Sequence, residues 1–209
     1  MPRTSDKNQR LRRYWDRHAR SYDRQMSFFD RVLFGDSRRW ICSQASGRAL
    51  EIAIGTGLNL PFYPADVQLT GIEWSPAMLE IARRRAEQLG RTAELREADA
   101  QDLPFPDASF DTVVCTLSLC AIPDDRQAVA EMTRVLRPGG RLLLLDHVIS
   151  SAWPVRALQR YLELVTLPLG GEHFRRRPLR HVQAAGLEIE QRDRFKLGIV
   201  ERIAARKPA

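Results

Sequence analysis

Apolar and polar positions change period along this chain. Between Arg10 and Leu33 the apolar residues Leu11, Trp15, Tyr22 and Met26 recur at helical spacing, and Gly35 breaks the run. A second short helix is expected over Ser37–Ala45, ended by Gly47. From there short apolar runs alternate with amphipathic ones. Arg48–Ile54, Val67–Glu73, Thr92–Glu97, Phe110–Leu117 and Arg141–Val148 read as strands. Between them lie a helix at Ala77–Leu89, capped by Ser75 with Pro76 at its first position and closed by Gly90, and a helix from Asp124 or Asp125 to Leu136. Asp102–Ser109 reads as a polar loop and Pro138-Gly139-Gly140 as a sharp turn. LLLLDHV is apolar on both faces, which suits a parallel strand covered from both sides.

The tail has another rhythm. Val155–Leu167 and Pro178–Ala185 read as helices. LEIEQRDRF and LGIVERIAARK then alternate apolar and polar, as two antiparallel strands at a sheet edge do. The whole predicts one α/β domain with a doubly wound, mostly parallel sheet and a C-terminal antiparallel hairpin.

Composition changes little. The 209 residues are 44% hydrophobic and 28% charged, ordinary for a globular chain. No apolar run nears the roughly 20 residues of a membrane-spanning helix. The basic N-terminus lacks the apolar core and cleavage site of a secretory signal. Cys42, Cys115 and Cys120 are an odd set without metal-ligand spacing, so thiols in a reducing cytoplasm are expected and no metal site. The net charge of +7 is uneven. Residues 1–40 and 175–209 each carry +6, and residues 41–174 carry −5. Basic ends suit solvated helix faces or peripheral contact with an anionic membrane; nothing resembles a nucleic-acid recognition element. Oligomeric state cannot be read from the chain.

The chemistry centres on LEIAIGTGLN. Gly55 and Gly57 follow the first strand, where open α/β sheets bind ligands at strand ends. A phosphate-cradling P-loop is excluded because the Gly-Lys-Ser/Thr ending is missing. A dinucleotide site is weakened because Leu60 stands where a third glycine belongs. Glu73, closing the second strand, can accept from both hydroxyls of a ribose. Trp74 or Met78 can pack on an adenine face, and Asp99, after the third strand, can accept from an adenine amino group. Three acids, Glu51, Glu73 and Asp99, thus end three successive strands.

LEIAIGTGLN, GIEWSPAML, EADAQDLPFPDASFDTVVC and RVLRPGGRLLLLDHV, in this order, resemble the motifs of class I S-adenosylmethionine-dependent methyltransferases, nearest the ubiquinone/menaquinone-type small-molecule branch. The resemblance covers about residues 45–150. It implies a Rossmann-like seven-stranded sheet, an N-terminal helical lid over residues 1–46, a cofactor-binding domain over 47–209 and acceptor-pocket helices at about 150–185. The implied cofactor is S-adenosylmethionine, with S-adenosylhomocysteine as product. Glu51, Ala53, Gly55, Thr56, Gly57 and Asn59 would address its methionine part, Glu73 its ribose, and Trp74 and Met78 the adenine. Asp99 and Ala100 would bind the adenine edge, Leu117 would lie under the methionine part, and Tyr14 and Tyr22 would close over the cofactor. Ala53 departs from the family, which commonly has glycine there.

Methyl transfer is an in-line displacement that asks for alignment and exclusion of water. Acceptors differ mainly in whether a base must remove a proton. Asp146 and His147, ending the fifth strand, are the candidate catalytic pair, with His173 and Cys120 as weaker candidates. A narrower resemblance, over VVCTLSLCAIPD and RVLRPGGRLLLLDHV, is to thiol methyltransferases. It makes a small thiol the leading acceptor, with Arg175–Arg177 favouring the thiolate if they face inward. Methylation of a quinone- or phenol-like ring or of a phospholipid amine is the alternative. A nicotinamide oxidoreductase and a binding module without turnover are the alternatives outside methyl transfer.

Overall fold

The computed structural model describes residues 4–209, with side chains from residue 8 onward. Five strands run parallel: β1 (Arg48–Ile52), β2 (Gln68–Glu73), β3 (Ala93–Glu97), β4 (Phe110–Thr116) and β5 (Leu136–His147). The last two, β6 (Glu188–Phe195) and β7 (Val200–Arg206), are antiparallel. The seven form one sheet in the order β3-β2-β1-β4-β5-β7-β6. The helices are α1 (Thr4–Phe29), α2 (Ser37–Cys42), α3 (Pro76–Gln88), α4 (Asp125–Val135), α5 (Trp153–Gly170) and α6 (Pro178–Ala184). From β1 the chain steps outward to β2 and β3, then returns to place β4 on the other side of β1. That reversal opens a crevice at the strands' carboxyl ends.

Side-chain alternation sets the two layers. Leu50 and Ile52, Val113 and Cys115, and Leu142 and Leu144 pack into one core. Their neighbours Ala49, Val114, Leu143 and Leu145 pack into the other. A strand's period of two sends adjacent residues to opposite faces, and each fully buried leucine or isoleucine contributes about 1.5–3 kcal/mol. This explains why the central strands are apolar throughout.

The caps follow the sequence. Ser75 Oγ accepts from Met78 N at 3.2 Å, with Pro76 in the first turn. Asp124, rather than Asp125, caps α4 by accepting from Gln127 N at 2.9 Å.

Three expectations shift. The long first helix ends at Phe29 and continues as one π-helical turn, Asp30–Phe34, before Gly35. β1 stops at Ile52 because Ala53 turns to φ +51°. Pro138-Gly139-Gly140 is no turn ahead of a strand but an irregularity within β5. Phe110 pairs with Leu136 and Thr112 with Arg141, so β5 accommodates extra residues against β4. A Cβ at Gly140 would stand 2.9 Å from Arg137 O and 3.0 Å from Asp111 O, which is why glycine occupies it.

Candidate functional site

Glu73 closes β2 with its side chain buried. Oε2 accepts from Gly55 N at 2.9 Å and Oε1 from Ser75 N at 2.8 Å. Burial raises its pKa, and the backbone N–H groups oppose that rise. The carboxylate thus joins the loop after β1 to the start of α3, at the floor of a cavity outside the strand ends.

Ala53, Gly55, Glu73, Trp74 and Met78 line this cavity from β1, β2 and α3. Asp99, Ala100 and Leu117 line it from the ends of β3 and β4. Eight of the fourteen expected cofactor residues therefore meet here, and Tyr22 from α1 makes a ninth. Ala53 and Leu117 both hold left-handed backbone, at φ +51° and +53°. Such a conformation costs a non-glycine residue about 1–2 kcal/mol, strain of the kind kept at functional sites. It also explains why glycine is common at the Ala53 position in the family that this chain resembles.

The two glycines divide their work. A Cβ at Gly55 would meet only Ala53 O, at 4.0 Å, so the space above it belongs to the cavity. A Cβ at Gly57 would meet Leu60 Cδ1 at 2.7 Å and Ala82 Cα at 3.3 Å. Gly57 is reserved for packing against α3 and, although expected to address the methionine part, does not line the cavity.

Four further expected residues stand behind the cavity wall. Glu51 accepts from Asn59 Nδ2 at 2.7 Å and Tyr63 Oη at 2.9 Å, and burial pushes its pKa up to about 7. Asn59 also donates to Thr116 Oγ1 at 2.8 Å and accepts from Arg38 Nη1 at 3.0 Å. Thr56 Oγ1 donates to Asp23, and its carbonyl accepts from Arg85 Nη1 at 2.8 Å. These groups brace the loop. Tyr14 packs edge-on to Trp15 at 5.2 Å and close to His18 at 4.0 Å, away from the cavity lining.

Sequence reasoning missed how α1 is held. Arg12 and Trp15 line the cavity, and Arg12 pairs with Glu97. Asp16 accepts from Ser75 Oγ and from Ala77 N at 3.3 Å. Asp23 takes Thr56 Oγ1 and the Arg85 guanidinium. Arg12, Asp16 and Asp23 are four and seven residues apart, one flank of a helix; that spacing was the available signal.

The expected catalytic pair closes β5, as read from the sequence, but outside the cavity lining. Asp146 is buried, accepting from His147 N at 2.8 Å and Cys120 N at 3.2 Å, and burial pushes its pKa up to about 7. The His147 ring packs 4.8 Å from Phe174, and burial pulls its pKa down to about 4. Neither lines the cavity. Cys120 Sγ, Asp146 and His147 bring possible ligand atoms within 4.8 Å of one another. All three cysteines are free and buried. His173 N donates to Cys120 O at 2.8 Å.

The loop from Leu117 to Asp124 forms the cavity's far wall through Ser118, Ala121, Ile122 and Pro123. Arg176 braces it from outside, donating to the carbonyls of Leu119, Ile122 and, at 3.0 Å, Pro123. Arg175 is bound to Glu163. Two of the three arginines expected to face a thiolate, Arg175 and Arg176, are therefore committed elsewhere. A charged group that the sequence reading did not single out is Glu172, which does not itself line the cavity. Its carboxylate lies within electrostatic reach of Tyr14, Tyr22, Cys120 and His18, and burial raises its pKa.

A doubly wound sheet, a glycine turn open to the cavity, and carboxylates at the ends of β2 and β3 define an enzyme fold that holds an adenine nucleoside. Residues 50–144 match the family model described as "Methyltransferase domain". The chain is 37% identical over 162 residues to a phosphatidylethanolamine N-methyltransferase of Cereibacter sphaeroides, covering 74% of this chain and 80% of that one. It is 30% identical over 207 residues to a ubiquinone/menaquinone biosynthesis C-methyltransferase, UbiE, of Geobacter sp. (strain M21), covering 92% and 86%. A solved S-adenosylmethionine-dependent methyltransferase of Thermotoga maritima superposes with a TM-score of 0.73 at 22% identity, over 93% of this chain and 99% of that one, a likeness of fold. The chain belongs to the class I S-adenosylmethionine-dependent methyltransferases.

The residues present fit that cofactor. Two carboxylates, Glu73 and Asp99, offer acceptors for hydroxyl and amino protons, and Ile72, Met78 and Ile122 offer apolar faces for a purine. The bound cofactor supplies a methyl group on a positively charged sulfur, and a small-molecule acceptor receives it. No helix among the described residues is long and apolar enough to cross a membrane.

Proposed function

We propose that this methyltransferase acts on the nitrogen of a lipid-borne amine, with Glu172 as the proton acceptor. The observation that carries this reading is the sign of charge on the acceptor side. Glu172 acts electrostatically on Tyr22, which lines the cavity, while Arg176 is tied to backbone carbonyls and Arg175 to Glu163. An amine arrives protonated and can attack only through a free lone pair. A carboxylate draws the ammonium in, and one whose pKa is raised by burial is well matched to take its proton. Glu172 and Asp146 would instead oppose a thiolate, which removes support from the thiol reading. The name of the Cereibacter relative, a phosphatidylethanolamine N-methyltransferase, agrees with an amine.

In this reading the described part of the expected lid, residues 4–46, covers the site; residues 1–3 of that expectation lie outside the described residues. Tyr22, Trp15 and Arg12 cover the cavity, and the Asp16 and Asp23 contacts hold them there. Exclusion of water strengthens the interactions that align acceptor and methyl. Asp146 and His147 position the loop carrying Cys120, acting through structure instead of proton transfer.

The test is a labelled-methyl assay on phosphatidylethanolamine vesicles, a quinol and an alkyl thiol. Label is expected in the lipid amine, and Glu172→Gln should lower turnover roughly 100-fold while leaving S-adenosylhomocysteine affinity unchanged. Label in the quinol ring or the thiol, or full activity of Glu172→Gln, overturns the reading.

A further inference from the structure

Helix α5 is built with its polar side inward. Gln159 and Glu163 are both 4% exposed. Gln159 donates to Val148 O at 2.9 Å and Phe174 O at 3.1 Å, and accepts from Ser150 N at 2.9 Å. Glu163 accepts from Arg175 N at 3.0 Å. The opposite half of the helix is apolar and open: Trp153, Leu158, Tyr161, Leu164, Val165 and Leu169 are between 54 and 74% exposed. Of the twelve exposed large hydrophobic residues described, seven lie on this one helix, so the patch is concentrated and not the usual scatter. At 3.6 residues per turn those six side chains fall within an arc of about 160°, facing away from Gln159 and Glu163.

Arginines border the patch. Arg156 and Arg160 sit on the flank of α5, both exposed. A cleft lined by Glu163 and Leu167 of α5 also holds Arg177 and Arg180. Among the described residues none of these four has an ion pair. A two-fold contact with a second copy would bring arginine against arginine, a repulsive arrangement. An anionic bilayer matches both parts. Its acyl boundary takes the leucines, its headgroup level suits Trp153 and Tyr161, and its negative charge faces the arginines.

We propose that α5 and its bordering arginines seat the enzyme on the surface of an anionic membrane, the helix lying flat in the interface. This deepens the lipid-amine reading and rests on it for its purpose, but binding and turnover are measured separately, so either can fail alone.

The experiment is co-sedimentation of the full chain with vesicles of phosphatidylcholine alone and of equal parts phosphatidylcholine and phosphatidylglycerol. Binding is expected to the anionic vesicles only, and to weaken with added salt. Leu164→Glu, at an exposed site where folding has no stake, should cut the partition coefficient roughly tenfold or more, as should Arg177→Glu with Arg180→Glu. S-adenosylhomocysteine affinity should be unchanged in both. A wild-type chain that stays in the supernatant with anionic vesicles overturns the proposal, as does vesicle binding indifferent to Leu164→Glu. So does a lipid-free dimer that Leu164→Glu converts to monomer while vesicles fail to bind, since a second copy then covers the helix.

Discussion

Asp16 of the N-terminal helix accepts a hydrogen bond from the hydroxyl of Ser75, the residue that caps α3 two positions after Glu73. The same carboxylate receives Ala77 N at 3.3 Å, so α1 reaches the N-terminus of α3 with a negative charge where the helix dipole favours one. Charge-assisted hydrogen bonds of this kind are worth about 1.5–3 kcal/mol. Asp16→Ala should therefore raise the dissociation constant of S-adenosylhomocysteine about tenfold and speed hydrogen exchange over α1, with the α3 cap retained through Ser75 and Met78. Unchanged exchange in α1 would show that this helix is held some other way.

Gly55 and Gly57 make opposite predictions although one residue separates them. Gly55→Ala places a methyl in open cavity at φ +59°, with about 1–2 kcal/mol of backbone strain. It should weaken cofactor binding more than it lowers the melting temperature. Gly57→Val drives its side chain into Leu60 and Ala82 at φ +81°. It should unfold the loop and lower the melting temperature before any question of binding arises. Thermal melts paired with calorimetric titration separate the two.

What was legible in the chain was what depends on near neighbours. The strand sequence, the Ser75 and Asp124 caps and the acids closing β2 and β3 follow from local period and turn chemistry. The direction a Cβ points was not legible, so Gly55 and Gly57 looked alike. Nor was pairing across the fold: Asp16 and Asp23 meet partners 59 and 33 residues or more away. The periodicity of α5 was visible, but a pattern cannot say which half of a helix faces the protein. Only the bonds of Gln159 and Glu163 show that its polar half does. Glu172 was passed over although its neighbour His173 was singled out, because the groups it acts on electrostatically, Tyr22 and Cys120, are remote in the chain.

Glu73→Ala leaves Gly55 N and Ser75 N without their carboxylate. Each unsatisfied buried donor costs about 1–3 kcal/mol. Both fold stability and cofactor affinity should fall, and Glu73→Gln, which keeps one acceptor, should fall less in each. A Glu73→Ala chain with wild-type affinity for S-adenosylhomocysteine would remove this residue from the site.

Burial sets an unusual pH dependence. Glu51 and Asp146 have folded pKa values near 7, up from 4.5 and 3.8. Between those values the folded chain holds protons that the unfolded chain has lost, so stability falls as pH rises through this window. His147 acts the other way: its pKa drops from 6.5 to about 4, so across that interval the unfolded chain binds the extra proton and stability rises with pH. Two carboxylates against one imidazole leave these three groups with a net loss of stability from about pH 4.5 to 7, steepest near about pH 6, where the folded carboxyls are still largely protonated and the unfolded imidazole has begun to lose its proton. Glu51→Gln removes one of the two carboxylates while keeping an acceptor for Asn59 or Tyr63. Denaturant unfolding at pH 5.5 and pH 8 should show a smaller drop in the variant than in the wild type. An equal drop in both would mean that Glu51 is ionised throughout this range, held so by Asn59, Tyr63 and the nearby Arg38 guanidinium.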